Sequence, residues 1–123
     1  MVYRKGQKRL LNYRGAKGHV YIGVWETDKA CTIKIGYTKR KPKQRVKEQS
    51  YKVNGKLRNL FSCPSRNLRL DEMNICSIKN VILMKNKIKN TSTEWGYNLD
   101  KKIIDNIIKC VGKHYDIAES SVI

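Results

Sequence analysis

The stretch from Gly18 to Tyr37, GHVYIGVWETDKACTIKIGY, leaves this chain the fewest choices of fold. Val20, Tyr21, Ile22, Val24 and Trp25 are β-branched or aromatic, Thr27-Asp28-Lys29 has turn chemistry, and Cys31, Thr32, Ile33 and Ile35 resume the strand pattern. The spacing predicts a hairpin. With its turn centred on Asp28 and Lys29, Tyr21 falls opposite Gly36 and Gly23 opposite Lys34. Alternation along a strand then puts the Tyr21 phenol and the Lys34 amine on the same face. Glycine at 23 and 36 is expected to leave that face open above the backbone.

A chain of 123 residues has room for one domain with a small core, and no internal repeat is visible. Lys and Arg number 27 against 10 Asp and Glu, a net charge of +17. Such a field attracts polyanions through counterion release, so nucleic acid, DNA or RNA, is the first partner to consider. An anionic membrane surface or a solvated basic face are the other readings of the charge. No apolar run is long enough to span a bilayer, and MVYRKGQKRLLNYRGAKG lacks the apolar centre of a signal peptide. The expected location is intracellular, in the cytoplasm of a host or bacterial cell with the nucleus as the alternative, and not secreted. Abundant Lys, Asn and Ile suggest an AT-rich genome, which fits a virus or phage.

Cys31, Cys63, Cys76 and Cys110 are far apart, form no C-x-x-C pair and have no histidine at ligand spacing. They read as buried thiols of a reducing compartment, and a structural zinc site is not expected.

Residues 1–17 form a basic arm: Arg4, Lys5, Lys8, Arg9, Arg14 and Lys17 stand without an acid, interleaved with Tyr3 and Tyr13. Such an arm could follow a phosphate backbone with its tyrosines stacking on bases, or be a solvated terminus. After the hairpin, Lys39, Arg40 and Lys41 add to the basic surface, and a helix is expected from about Lys41 to Ser50, with Pro42 in its first turn and Thr38 as a cap. Val46 is nearly its only large apolar residue, so the helix gains little from burial. Asn54-Gly55 marks a turn, Leu57 to Cys63 a third strand, and Pro64 its end. From about Arg69 to Ile88 a second helix is expected to bury Leu70, Met73, Val81, Met84 and Ile88, with Cys76, Ile78, Ile82 and Leu83 widening the apolar surface. Lys89 to Thr93 is a loop leading to Glu94-Trp95. Asn98 then resembles a cap of a final amphipathic helix carrying Leu99, Ile103, Ile104, Ile107, Ile108 and Val111 and closed by Gly112. The tail at 113–123 has no functional signal. The domain proper is placed at 18–112, of mixed α+β class, an antiparallel sheet of about three strands with helices packed on it.

Taken in order, His19-Val20-Tyr21-Ile22, Lys34-Ile35-Gly36-Tyr37-Thr38, Arg45 with Gln49 and Ser50, and Glu94-Trp95 resemble the signatures of the GIY-YIG endonuclease superfamily. The likeness is nearest to its small viral and bacterial branch, in which the second signature reads Lys-Ile-Gly. It covers residues 18 to 111. What the resemblance implies is a metal-dependent endonuclease that hydrolyses phosphodiester bonds of DNA with Mg²⁺ or Mn²⁺. Tyr21 would be the general base, Lys34 would hold the attacking water or neutralise a phosphate oxygen, Arg45 would clamp the phosphate and Glu94 would hold the metal.

Each assignment fits the chemistry. Phosphodiester hydrolysis needs a polarised phosphate, a deprotonated water and positive charge where the transition state becomes more anionic. A guanidinium presents paired donors to phosphate oxygens, and Mg²⁺ accepts a single carboxylate while keeping several waters. A phenol has a pKa of about 10, which Lys34 and Arg45 are expected to lower. Each residue also has a plain structural reading: a core tyrosine, a solvent-facing strand lysine, a surface arginine and a loop carboxylate. Asp71, Glu72 and Asp105 read as helix-surface acids. Many relatives carry a histidine one turn after the arginine or in the second helix; this chain has Gln49 after Arg45 and no histidine between 70 and 90.

Two other function classes share the charge. One is a catalytically inactive nucleic-acid-binding protein on the same fold. The other is a basic inhibitor or decoy with a protein partner. Oligomeric state has no signature in the chain.

Overall fold

The computed structural model describes residues 17–90 and 92–122. The hairpin is formed by β1 (Gly18–Glu26) and β2 (Cys31–Thr38), and its register pairs Tyr21 with Gly36 and Gly23 with Lys34, as the turn position predicts. The turn closes through Thr27, whose backbone N–H donates to Ala30 O at 2.9 Å and whose hydroxyl accepts from the N–H of Lys29 and Ala30 at 3.3 Å. The remaining elements are α1 (Pro42–Ser50), β3 (Lys56–Ser65), α2 (Leu68–Lys85), β4 (Trp95–Leu99), α3 (Lys101–Gly112) and β5 (Ala118–Ser120). The fold is α+β, with the described residues forming one sheet of five strands, all neighbours antiparallel, in the order β4-β2-β1-β3-β5.

The expected sheet of three strands thus gains two edges. β4 arises where a loop was expected to run on towards the last helix. β5 arises from the tail at 113–123, so the sheet extends past residue 112. Both are short and depend on a neighbour already in place, which local sequence cannot announce. Residues 1–16 of the basic arm lie outside the described residues.

β1 is central and covered on both faces, which is why VYIGVW is a continuous apolar run. On one face Val20, Ile22, Ile33 and Ile35 pack with Ile75, Cys76, Ile82 and Leu83 of α2 and with Ile104, Ile107 and Val111 of α3. On the other, Tyr21, Trp25 and Leu60 meet Val46 of α1, with Trp95 packed against them. Gly23 and Gly36 do not leave this second face open. A Cβ at Gly23 would lie 2.9 Å from Trp25 Cη2, and one at Gly36 would lie 2.5 Å from Tyr21 Oη. Two aromatic rings fill the space that the glycines vacate.

Several expected boundaries move. Thr38 does not cap α1. Its hydroxyl accepts from the Arg40 N–H at 3.0 Å, and Lys41 takes the cap position with no side-chain bond. β3 continues through Pro64 to Ser65; β5 pairs only with Leu60 to Ser62, so at Pro64 the strand has one neighbour and a missing N–H breaks no second ladder. Asn67 caps α2 by accepting from Leu70 N, and the helix ends at Lys85, with Lys87 at φ 57°. Asn98 caps nothing: it sits in β4 at φ 56°, Leu99 is buried in the same strand, and Asp100 takes the cap position of α3. Gly112 is the last residue of α3, with Lys113 beyond it as the cap.

The expected core stripe of α2 is the largest correction. Leu70, Met73, Val81 and Met84 are exposed, and Ile88 is partly buried beyond the helix end. The face turned inward carries Leu68, Ile75, Cys76, Lys79, Ile82 and Leu83. Both stripes have helical spacing, and the buried one contains a lysine, which is why periodicity alone favours the other. All four cysteines are free, three buried and Cys110 partly so, as expected of packed thiols. No helix among the described residues is long and apolar enough to cross a membrane.

Candidate active site

Three elements and one loop carry the predicted site residues to one region. Tyr21 comes from the centre of β1, Lys34 from β2, Arg45 from α1, and Glu94 from the residue just before β4.

Tyr21 is 2% exposed and lies across Gly36, so that its hydroxyl emerges beyond the strand and donates to Gln49 Oε1 at 3.1 Å. Burial raises the phenol above its ordinary value; Arg45, by charge and hydrogen bond, and Gln49 pull the other way, while Glu94 adds to the rise. The expected lowering by Lys34 and Arg45 is therefore outweighed: desolvation of a buried ring opposes the phenolate more than one nearby guanidinium favours it. The ring of Tyr21 belongs to the apolar cluster, as a core tyrosine would, while its oxygen bonds Gln49 beside Arg45.

Arg45 also donates to Glu48 Oε1 at 3.1 Å, and Arg40 grips the same carboxylate with two bonds at 2.8 and 2.7 Å. Arg40 and then Arg45 hold the Glu48 carboxyl down at about 2. α1 itself is fastened by Val46 and by the Trp25 indole N–H, which donates to Ser50 Oγ at 2.9 Å.

Lys34 is 5% exposed, so it is not a solvent-facing strand lysine. Its ammonium bonds the Glu94 carboxylate and lies 5.1 Å from the centre of the Trp95 ring. Trp95 pairs with Lys34 across the β2–β4 ladder, and its ring meets Trp25 at 5.9 Å between centroids. Glu94 is anchored through its main chain, its carbonyl accepting from Ile35 N at 2.9 Å, while its side chain stays 47% exposed. A half-exposed carboxylate with one cationic neighbour suits the single-carboxylate manner in which Mg²⁺ binds. Among the described residues no three His, Cys, Asp or Glu side chains group as a closed metal site.

Two residues of this region escape the sequence reading. Lys79 is fully buried on α2, and its ammonium donates to Thr93 O at 2.6 Å and Trp95 O at 2.7 Å, with Ser92 O at 3.4 Å. It thereby holds the turn on both sides of Glu94. Desolvation lowers its pKa to about 8. The available signal was a lysine inside the stripe Ile75, Cys76, Ile82, Leu83, a position that a long cation occupies only with partners. The other is Glu72, which is half-buried and not a simple surface acid. Burial and then the charge of Glu94 raise its carboxyl, and Lys34 and Arg69 oppose them. Asp71 accepts from Ser65 Oγ at 2.5 Å and Tyr115 Oη at 3.2 Å, a structural role. Tyr37 is exposed, on the face of β2 away from Lys34.

Of the predicted nucleic-acid contacts, Lys17, Lys39, Arg40 and Lys41 are exposed around one corner of the sheet; Arg4, Lys5, Lys8, Arg9 and Arg14 lie outside the described residues. Comparison with curated proteins finds no match, and comparison with solved structures finds none either. The profile of the T5orf172 domain matches residues 18–112, a stretch that holds Tyr21, Lys34, Arg45 and Glu94 together with every strand but β5. The chain therefore belongs to the T5orf172 domain family.

Proposed function

We propose that this protein is a metal-dependent endonuclease of GIY-YIG type that hydrolyses phosphodiester bonds of DNA. The observation that carries the reading is the gathering of a phenol, a guanidinium, an ammonium and a carboxylate from three elements and a loop around one small region. Membership of the T5orf172 family and the net charge of +17 agree with it.

Glu94 would hold Mg²⁺ or Mn²⁺, which supplies Lewis acidity at the phosphate. Arg45, partly exposed beside Tyr21, would take a non-bridging phosphate oxygen, exchanging its bond to Glu48 for one to a group that becomes more anionic in the transition state. Lys34 would keep Glu94 in place and add positive charge as the phosphorus centre becomes more anionic. Tyr21 Oη, directed by Gln49, would hold the attacking water and receive its proton once added positive charge outweighs the effect of burial. The bond broken is that between phosphorus and the leaving deoxyribose oxygen, which takes a proton from solvent water as it departs.

The test is incubation of the purified chain with supercoiled plasmid and Mg²⁺ or Mn²⁺, alongside EDTA and Glu94→Ala. Nicked or linear DNA that vanishes in both controls is the expected result. Plasmid that stays intact but shifts on a gel would replace this reading with a nucleic-acid-binding protein on a nuclease-like fold. No binding and no cleavage would leave the inhibitor or decoy class.

A further inference from the structure

At the corner where β1 begins and β2 and β3 end, the surface opens into a groove of about 740 Å³. Among the described residues five cationic side chains line it, Lys17, Lys39, Arg40, Lys41 and Arg66, and no acid does. Lys17, Lys39, Lys41 and Arg66 are exposed, and they come from three separate segments of the chain, so their convergence is a property of the fold and not of one basic run. Between them the wall is His19, Gly18 and Pro64, an imidazole, a bare backbone and a pyrrolidine ring.

Like charges held together repel one another, and the arrangement is relieved when a polyanion lies among them. A groove of this size is ample for a ligand, and cations spaced along it suit a chain that alternates phosphates with sugars. Arg40 ties the groove to the candidate active site. It lines the groove and bonds Glu48, Glu48 also accepts from Arg45, and Arg45 adjoins the Tyr21 hydroxyl.

We propose that this corner groove is a second phosphate subsite, which holds the DNA backbone flanking the phosphodiester bound at Arg45. The inference rests on the proposed nuclease reading for the identity of its ligand. It adds Arg66 and His19 to the nucleic-acid surface and makes Lys17 part of a formed groove. The groove positions the strand and takes no part in bond cleavage.

The experiment measures binding of a fluorescein-labelled DNA duplex by anisotropy across a salt series, with the full chain and without added metal. Lys17→Ala/Arg66→Ala is compared with Lys101→Ala/Lys109→Ala, which removes the same charge from the far side of the domain. The groove pair is expected to weaken binding about tenfold and to flatten the slope of log K against log salt by about 1.8, two phosphate contacts' worth. The control pair is expected to change the slope by less than half as much. Equal effects of the two pairs, or none from the groove pair, would overturn the subsite while leaving plasmid cleavage by the wild type untouched. Conversely, a groove pair that alone flattens the slope in a chain that never cleaves plasmid would uphold the subsite and sink the nuclease.

Discussion

The Tyr21 ring lies directly over Gly36, its cross-strand partner, so closely that a Cβ there would stand 2.5 Å from Oη and 2.7 Å from Cζ. Glycine at 36 is therefore a condition for the place of the phenol oxygen. Gly36→Ala is expected to preserve the fold, judged by circular dichroism, while displacing Oη from Gln49 and Arg45. On the proposed nuclease, a shift of this order lowers plasmid cleavage about 100-fold. Unchanged cleavage would show that the Tyr21 oxygen has no part in the reaction.

Lys79 donates to carbonyls on both sides of Glu94. Replacing it by the similarly shaped methionine leaves those buried acceptors unpaired. Lys79→Met should cost about 2–4 kcal/mol in urea unfolding and weaken Mn²⁺ binding followed by electron paramagnetic resonance. A variant with native stability and native Mn²⁺ affinity would mean that the turn stands without the lysine.

Arg40 and Arg45 lower the Glu48 carboxyl from 4.5 to about 2. An acid whose folded value lies below its unfolded value stabilises the fold above its unfolded pKa. That contribution is lost as pH falls through the folded one. The melting temperature of wild type should exceed that of Glu48→Gln slightly above pH 4.5, with the difference fading as pH approaches 2. The effect is small because the pair is open to solvent. A difference that grows on acidification would refute the pairing.

The two apolar stripes of α2 should respond oppositely to substitution. Met84→Lys changes an exposed residue and is expected to shift stability by no more than about 0.5 kcal/mol. Ile82→Ala opens the main core and should cost about 2–4 kcal/mol. Thermal or urea melts of the two variants decide it, and a large loss from Met84→Lys would place a partner on that face.

Much of this protein is local in origin. The β1–β2 register follows from alternation and a short turn, and it is enough to put Tyr21 opposite Gly36 and Lys34 on the Tyr21 face. The polar helix after Pro42 and the buried thiols follow equally from short-range chemistry and residue type. Other features exist only once distant segments meet. Which stripe of α2 faces the sheet depends on what β1, β2 and α3 present to it, since two apolar stripes on one helix have equal claims. β4 and β5 become strands because an edge with unpaired backbone groups lies beside them. The state of the Tyr21 phenol depends on desolvation, which spacing does not contain, and Lys79 is intelligible only with the Thr93 and Trp95 carbonyls around its ammonium. Sequence alone determined the local periodicities and the chemical groups on offer; tertiary structure decided which of them are desolvated and which charges meet, because both depend on contacts between residues far apart in the chain.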